Sequence, residues 1–126
     1  MALKYKNVEA QAAAEAEYKG PWGEIIPTEQ KRIRFVRDVH GVEEVWSYPY
    51  ETLLRSVLKK SNPQEIEILA GGDTITIRGY GLERILEALE NRWLVLVVQR
   101  RSRFAASDPN DRCVTEIKID PSYARS

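Results

Sequence analysis

Two adjacent glycines, Gly71-Gly72, lie between short segments in which isoleucine alternates with charged or hydroxyl residues. A two-residue hairpin turn of type I′ needs a positive φ at both central positions, and glycine adopts this conformation without a steric penalty. The turn fixes the register of the flanking strands. It pairs Leu69 with Thr74, Ile68 with Ile75, Glu67 with Thr76, Ile66 with Ile77, and Glu65 with Arg78. The four isoleucines then share one face, and a shift of one residue would mix the two faces.

The segment that follows this hairpin has the pattern of an amphipathic helix over residues 81–92. Its large apolar side chains recur at i, i+3, i+4 and i+7, and they are Leu82, Ile85, Leu86 and Leu89. Such a helix is about 18 Å long and a five-residue strand about 17 Å, so we expect the helix to cover the isoleucine face. Trp93–Val98 is continuously apolar, which is typical of a strand buried on both faces.

Further strands are predicted on both sides of the hairpin. Gln30–Val39 alternates apolar residues with arginine, and Val45–Tyr50 is rich in aromatic residues. His40-Gly41 predicts a turn between them, and Pro49 confines its end of the strand to a sheet edge or a bulge. Residues 51–60 fit a helix or a strand, and we favour a short turn followed by a strand. The last predicted strand is Cys113–Ile119. Four of its side chains would share one side of the strand: Cys113, Thr115, Ile117 and Ile119.

Together these elements predict an α+β fold. We expect a mostly antiparallel twisted sheet or small partial barrel of about five to six strands, with one helix over about 81–92 packed on it. Residues 1–20 are expected to form an N-terminal helical arm, because Val8–Tyr18 is rich in Ala, Glu and Gln. Residues 21–126 are expected to form one domain, since a chain of 126 residues can bury a single core.

The predicted hairpin, which ends in Ile77-Arg78-Gly79, resembles the strand pairs of Sm-like and pleckstrin-like small barrels. The resemblance is confined to the hairpin, and in Sm-like proteins this segment is not followed by a helix. It is a likeness at the level of the fold, from which no function follows.

The composition narrows the possible functions. Lys plus Arg and Asp plus Glu number 19 each, so no net charge attracts nucleic acid or an anionic membrane. The single cysteine excludes an internal disulfide and a cysteine-based zinc site, and the single histidine excludes a pair of histidine ligands. The sequence shows neither the apolar core of a signal peptide nor a membrane-spanning run. We therefore expect a cytoplasmic protein without membrane association.

One group of residues has the side chains that ligate divalent cations, namely Asp38, His40, Glu43 and Glu44. Asp and His beside a glycine are also ordinary turn residues, and we favour this interpretation. No nucleophile, base and orienting acid can be assembled around one histidine, so we expect no enzyme and no cofactor. Gly79 and Gly81 precede a helix as in a dinucleotide loop, but Arg84 replaces the third glycine, which favours a tight turn instead.

An aromatic stripe is the feature that most favours protein contact. Trp46, Tyr48 and Tyr50 alternate along one strand face, and Trp and Tyr are enriched at interface hot spots. The same stripe would equally suit a core. Our leading hypothesis is a non-enzymatic binding or assembly module that contacts itself or another protein. It would form a homo-oligomer through the aromatic strand and the N-terminal arm.

The alternative hypothesis is a nucleic-acid-binding accessory protein. A short loop contains three arginines and an aromatic ring, which can hold phosphates and stack on a base: Arg100, Arg101, Arg103 and Phe104. Arg32, Arg34 and Arg37 would add a second cationic group if their strand lies beside this loop. The other interpretation is a charged loop that follows a buried strand and opposes edge pairing.

Overall fold

The computed structural model describes residues 17–99 and 113–121. The elements in this part of the chain are β1 (Tyr18–Gly20), β2 (Gly23–Ile25), β3 (Arg32–Val39), β4 (Val42–Pro49), a 3-10 turn (Tyr50–Thr52), β5 (Leu53–Lys59), β6 (Gln64–Ala70), β7 (Asp73–Tyr80), α1 (Glu83–Glu90), β8 (Leu94–Val98) and β9 (Cys113–Pro121). They form a five-stranded sheet in the order β1-β2-β8-β3-β4 and a four-stranded sheet in the order β5-β6-β7-β9.

The hairpin predicted from the glycine pair is confirmed. β6 and β7 pair antiparallel in the expected register, and φ is 57° at Gly71 and 83° at Gly72. All four isoleucines of its apolar face are fully buried. On the opposite face the expected ion pair forms, with Arg78 Nη2 3.0 Å from Glu65 Oε1. Local turn chemistry is therefore sufficient to set this register.

The predicted helix is confirmed as α1, and the side chains of Leu82, Ile85 and Leu89 are buried. Its backbone lies closest to β5 in one sheet and β8 in the other. The helix therefore closes one side of the space between two sheets, whereas the sequence predicted a single sheet beneath it. In the part of the chain that the structure describes, no helix is both long and apolar enough to cross a membrane.

The two sheets and the helix share one core. It combines buried side chains of the first sheet, such as Ile33 and Phe35, with the isoleucines of the second sheet and the apolar stripe of α1. The architecture is mostly β with one helix among the described residues, and the two sheets do not close into a barrel. The α+β class is thus confirmed, while the partial-barrel alternative is not.

The segment over residues 50–59 has the predicted form of a short turn followed by a strand. The 3-10 turn, in which the Thr52 hydroxyl donates to the Pro49 carbonyl at 2.7 Å, leads directly into β5. This connection carries the chain from the edge of the first sheet to the edge of the second. The sequence pattern was ambiguous here because the apolar residues of 53–58 fit both periods.

The last strand departs from the predicted alternation of side chains. The register between β7 and β9 shifts at Arg78 and Gly79, which is the signature of a bulge that adds one residue to a strand. Val114 is consequently buried, whereas the Thr115 hydroxyl donates to the Arg78 carbonyl at 3.1 Å. The expectation that Thr115 lies on the core side with Ile117 and Ile119 is therefore wrong.

The predicted N-terminal helical arm is not shown. Residues 1–16 lie outside the described residues, and Tyr18–Gly20 is a strand that pairs with β2. The extended backbone lets the Tyr18 ring stack on Trp22, with centroids 4.2 Å apart. The Arg84 guanidinium of α1 lies 5.1 Å from the centroid of the same ring. These contacts favour a strand where the composition predicted the end of a helix.

Candidate interaction surface

The aromatic stripe belongs to β4 and the turn after it, and two of its three side chains lie in the core. Tyr48 is 6% exposed and Tyr50 is 2% exposed, while Trp46 is half-buried against the core. The Tyr48 hydroxyl donates to Asp73 Oδ2 at 2.7 Å, and the Tyr50 hydroxyl donates to the Leu94 carbonyl at 2.6 Å. Burial raises the pKa of Tyr50 well above its ordinary value. These two rings therefore stabilise the fold.

The strand that carries the stripe is at the edge of the first sheet, which is one of the two alternatives that Pro49 predicted. β4 pairs with β3, and no strand in the described ranges lies on its other side. The turn between β3 and β4 has positive φ at both residues, 53° at His40 and 82° at Gly41. A two-residue turn of this kind makes the flanking residues, Val39 and Val42, a hydrogen-bonded pair.

The direction of the free backbone groups on β4 follows from this pairing. Hydrogen-bonded and non-hydrogen-bonded pairs alternate along an antiparallel ladder. The Tyr50 N–H donates to the Lys31 carbonyl at 2.9 Å, in step with the pattern that begins at the turn. The N–H and C=O groups of Glu43, Val45 and Ser47 therefore point away from β3 and into solvent.

β4 lacks two of the features with which proteins protect a sheet edge, a basic side chain and a bulge, and its Pro49 is confined to the last position of the strand. It contains no lysine or arginine, its pairing with β3 has no bulge, and Val42 and Val45 are 63% and 58% exposed. The other long edges differ, because β5 has a register shift and carries Lys59, and β9 carries Lys118. Among the described edges, β4 is the long one that has neither a basic side chain nor a bulge.

A row of valines crosses the outer face of the first sheet and ends at this edge. Val98 pairs with Val36 across β8 and β3, and Val36 pairs with Val45 across β3 and β4. Their neighbours Phe35 and Val97 are buried, which places the valine row on the opposite, outward face. Val36 and Val98 are half-buried, and Val45 is exposed.

Charged side chains are separated to the two sides of the valine row. On one side Arg34 pairs with Ser47, and Arg32 Nε donates to the Ser47 hydroxyl at 2.9 Å. On the other side Asp38 pairs with Glu43. The outer face near β4 is therefore cationic at one end, apolar in the middle and anionic at the other end.

Two adjoining depressions lie at the cationic end of this face. Their volumes are about 510 and 390 Å³, and both are lined by residues 29–32. The cations around them are Lys31, Arg32, Arg34 and Arg92. Arg92 lies 3.6 Å from the Glu29 carboxylate. The surface is therefore mixed in charge but predominantly basic.

The strand that leads into the predicted arginine loop lies beside β3. β8 pairs with β3 in parallel, with Arg34 opposite Leu96 and Val36 opposite Val98. The chain therefore leaves β8 beside Val36, at the end of β3 away from Arg32, and the expected second cationic group beside the loop stays a prediction. Arg37 is on the other face, where its Nε lies 2.8 Å from Glu44. The loop residues themselves lie outside the described residues, and they are Arg100, Arg101, Arg103 and Phe104.

The predicted metal-ligating group is divided by the hairpin. Asp38 and Glu43 pair on the outer face, and Asp38 Oδ1 accepts from the Gly41 N–H at 2.9 Å. Glu44 is on the other face and accepts hydrogen bonds from Trp46 Nε1 and Arg37 Nε, which lower the pKa of its carboxyl. Over residues 17–99 and 113–121 no three His, Cys, Asp or Glu side chains are placed to hold a metal ion.

Sequence reasoning identified the strand but missed its outward-facing centre, Val45. The sequence pattern could have shown this. Val45 is two residues from each of the polar residues Glu43 and Ser47, so it shares their strand face, which is opposite to the aromatic stripe. The valine row was not readable from local sequence, because it requires β8 to lie beside β3.

Comparisons of the chain with protein-family models, with curated proteins and with solved structures find no match. The functional interpretation therefore depends on the surface described above.

Proposed function

We propose that this chain is a non-enzymatic binding and assembly module that self-associates by strand addition at β4. The observation that carries the proposal is the open edge, at which the backbone groups of Glu43, Val45 and Ser47 face solvent. An added antiparallel strand would satisfy these groups with main-chain hydrogen bonds, as in other complexes formed by strand addition. The aromatic strand remains the contact, but its backbone and Val45 make it rather than its buried rings.

The proposal is tested by the mass of the protein in solution. Wild-type protein is expected to have a mass above 14.5 kDa by light scattering, and Val45→Lys is expected to return it to the monomer mass. A lysine at the centre of the edge carries charge into the contact and opposes pairing. Wild-type protein that stays monomeric at millimolar concentration would remove the proposal.

Val57→Lys is the matched control for this experiment. Val57 is an exposed valine, 43% accessible, on β5, which is one of the two edge strands of the other sheet. The same change in charge there is expected to leave the mass unaltered. If both variants became monomeric, net charge rather than the β4 edge would be responsible, and the proposal would fail. Deletion of residues 1–16, which leaves β1 intact, tests the predicted contribution of the arm.

Binding of single-stranded nucleic acid is a second candidate function. The observation that favours it is the cationic depression on β3, which is lined by Lys31, Arg32 and Arg34. Phosphate contacts of this kind make affinity fall with salt. We expect a fluorescent oligothymidine to bind at low salt and to be released by the double change Arg32→Ala and Arg34→Ala. Arg55→Ala, an exposed arginine on β5, is the control, and absence of binding at low salt eliminates this function.

A further inference from the structure

We infer that two copies of the chain pair β4 against β4 in a single antiparallel register, with the two-fold axis at Val45. This inference rests on the proposed function and specifies its geometry. A symmetric strand pair is defined by the residue at its centre, because each residue then lies opposite one at an equal distance on the other side. Each residue of β4 is therefore a candidate centre, and the candidates can be compared by the residue pairs that each would form.

Centres on either side of Val45 are unfavourable for identifiable reasons. A centre at Glu43 or Glu44 places two carboxylates directly opposite each other, and like charges in that position are destabilising. A centre at Trp46 or Ser47 brings Pro49 into the new ladder at a position whose N–H should face the second copy. Proline has no N–H to donate, so ladder hydrogen bonds would be lost at both ends.

The Val45 register uses all the outward-pointing groups of the edge. Val45 lies opposite the second copy's Val45, and Glu43 lies opposite the second copy's Ser47. These three residues present their N–H and C=O groups away from β3, so the pairing forms about six backbone hydrogen bonds. Pro49 then lies beyond the ends of this ladder.

The valine row becomes continuous across the two copies in this register. In each copy Val98, Val36 and Val45 are neighbours on the outer face. With Val45 against Val45, the two rows join end to end and cover the exposed side chain at the seam. Each of the other centres considered above places Val45 opposite a residue that is not valine, so the row is interrupted at the seam.

The charges on the outer face are complementary in the same register. The anionic pair Asp38 and Glu43 of one copy continues into Ser47 and Arg34 of the other, because these residues pair across β3 and β4. The Arg32 guanidinium, which donates to Ser47, comes near the same carboxylate. The two-fold axis repeats this contact, so that the cationic end of each copy meets the anionic end of the other.

Cysteine cross-linking tests the register directly, on the full chain with Cys113→Ser to remove its only cysteine. Residues directly opposite in a hydrogen-bonded pair have Cα atoms about 5.5 Å apart, which a disulfide can bridge. We expect Val45→Cys to form a covalent dimer under mild oxidation. Glu43→Cys alone and Ser47→Cys alone should stay monomeric on a non-reducing gel, because each lies roughly 13 Å from its own counterpart. A mixture of the Glu43→Cys and Ser47→Cys proteins should cross-link, because these two positions lie opposite each other in the proposed register.

The outcomes separate the register from the proposed function. A dimer by light scattering in which Glu43→Cys or Ser47→Cys links to itself, and Val45→Cys does not, overturns the register and leaves strand addition standing. A monomer by light scattering overturns both. Val57→Cys on the other sheet is the control for random collision, and cross-linking of this variant as efficient as that of Val45→Cys would also overturn the register.

Discussion

The molecule contains two hairpins that are alike in their turns and different in their surroundings. β3–β4 and β6–β7 each have a two-residue turn with positive φ at both positions. β6–β7 is in the middle of its sheet, with β5 and β9 on its two sides. Among the described strands, β4 has β3 as its one neighbour. The isoleucines of β6–β7 are fully buried, while Val42 and Val45 are exposed. Turn chemistry thus sets the register, and position in the sheet decides whether a strand is enclosed or open to contact.

The largest difference between the hairpins is expected from truncation of their apolar side chains. Ile66 is fully buried, so Ile66→Ala should lower the free energy of unfolding by about 2–5 kcal/mol through lost burial and an unfilled cavity. Val45→Ala in β4 should lower it by less than about 1 kcal/mol, because the side chain is exposed. Urea denaturation at a concentration that keeps the chain monomeric measures both. Equal losses would show that β4 is as enclosed as β6.

The turns themselves should respond alike. Gly41 and Gly71 have φ of 82° and 57°, and a side-chain Cβ would meet no atom closer than 3.5 Å at either. Alanine therefore brings only the strain of the left-handed conformation, about 1–2 kcal/mol at each site. Thermal unfolding of Gly41→Ala and Gly71→Ala should show similar losses. A loss confined to Gly71→Ala would mean that the β3–β4 turn contributes little to the register of its hairpin.

One hydrogen bond joins the two hairpins, and its removal should have a moderate effect. The Tyr48 hydroxyl on β4 donates to Asp73 Oδ2 on β7 at 2.7 Å. Tyr48→Phe keeps the buried ring and removes this donor, so we expect a loss of about 0.5–1.5 kcal/mol in the free energy of unfolding. In an Asp73→Asn background the same change should matter less. If Tyr48→Phe lowered the free energy of unfolding equally in the wild-type and Asp73→Asn proteins, its effect would not come from the hydrogen bond to Asp73.

The smallest effect is expected on the polar face of β6–β7. Lys59, Glu65, Arg78 and Glu116 form a row of alternating charge, with N···O distances of 3.5, 3.0 and 3.7 Å. The hydrogen bond from Arg78 lowers the pKa of Glu65 below its ordinary value of 4.5. A carboxyl with a lowered pKa stabilises the fold above that ordinary value, and this contribution is lost as the pH falls through the lowered pKa.

Glu65→Gln should therefore reduce stability at pH 7 by less than any of the changes above, because solvent screens the pair. The difference from wild type should shrink as the pH falls below 4.5. Chemical denaturation at pH 7 and at pH 3 measures it, and a difference that grows in acid would contradict the assigned sign.

The sequence predicted what depends on neighbouring residues. The glycine turn, the alternating isoleucines and the stripe of α1 together defined β6, β7 and the helix. Pro49 left an edge or a bulge for its strand, and β4 is at an edge. The division into two sheets was not predictable, because it depends on the parallel pairing of β3 with β8 across more than fifty residues of chain. The sequence also did not decide whether the aromatic stripe faces the core or solvent, because alternation alone does not say which face of a strand meets the core.

Amide hydrogen exchange at β4, followed by NMR as a function of protein concentration, tests the account most directly. In the isolated chain the N–H of Val45 points into solvent, whereas that of Trp46 points towards β3. We expect exchange at Val45 to slow as concentration rises, while amides in β6 and β7 keep the same rates. A Val45 amide that exchanges at one fast rate at all concentrations would contradict pairing at this edge.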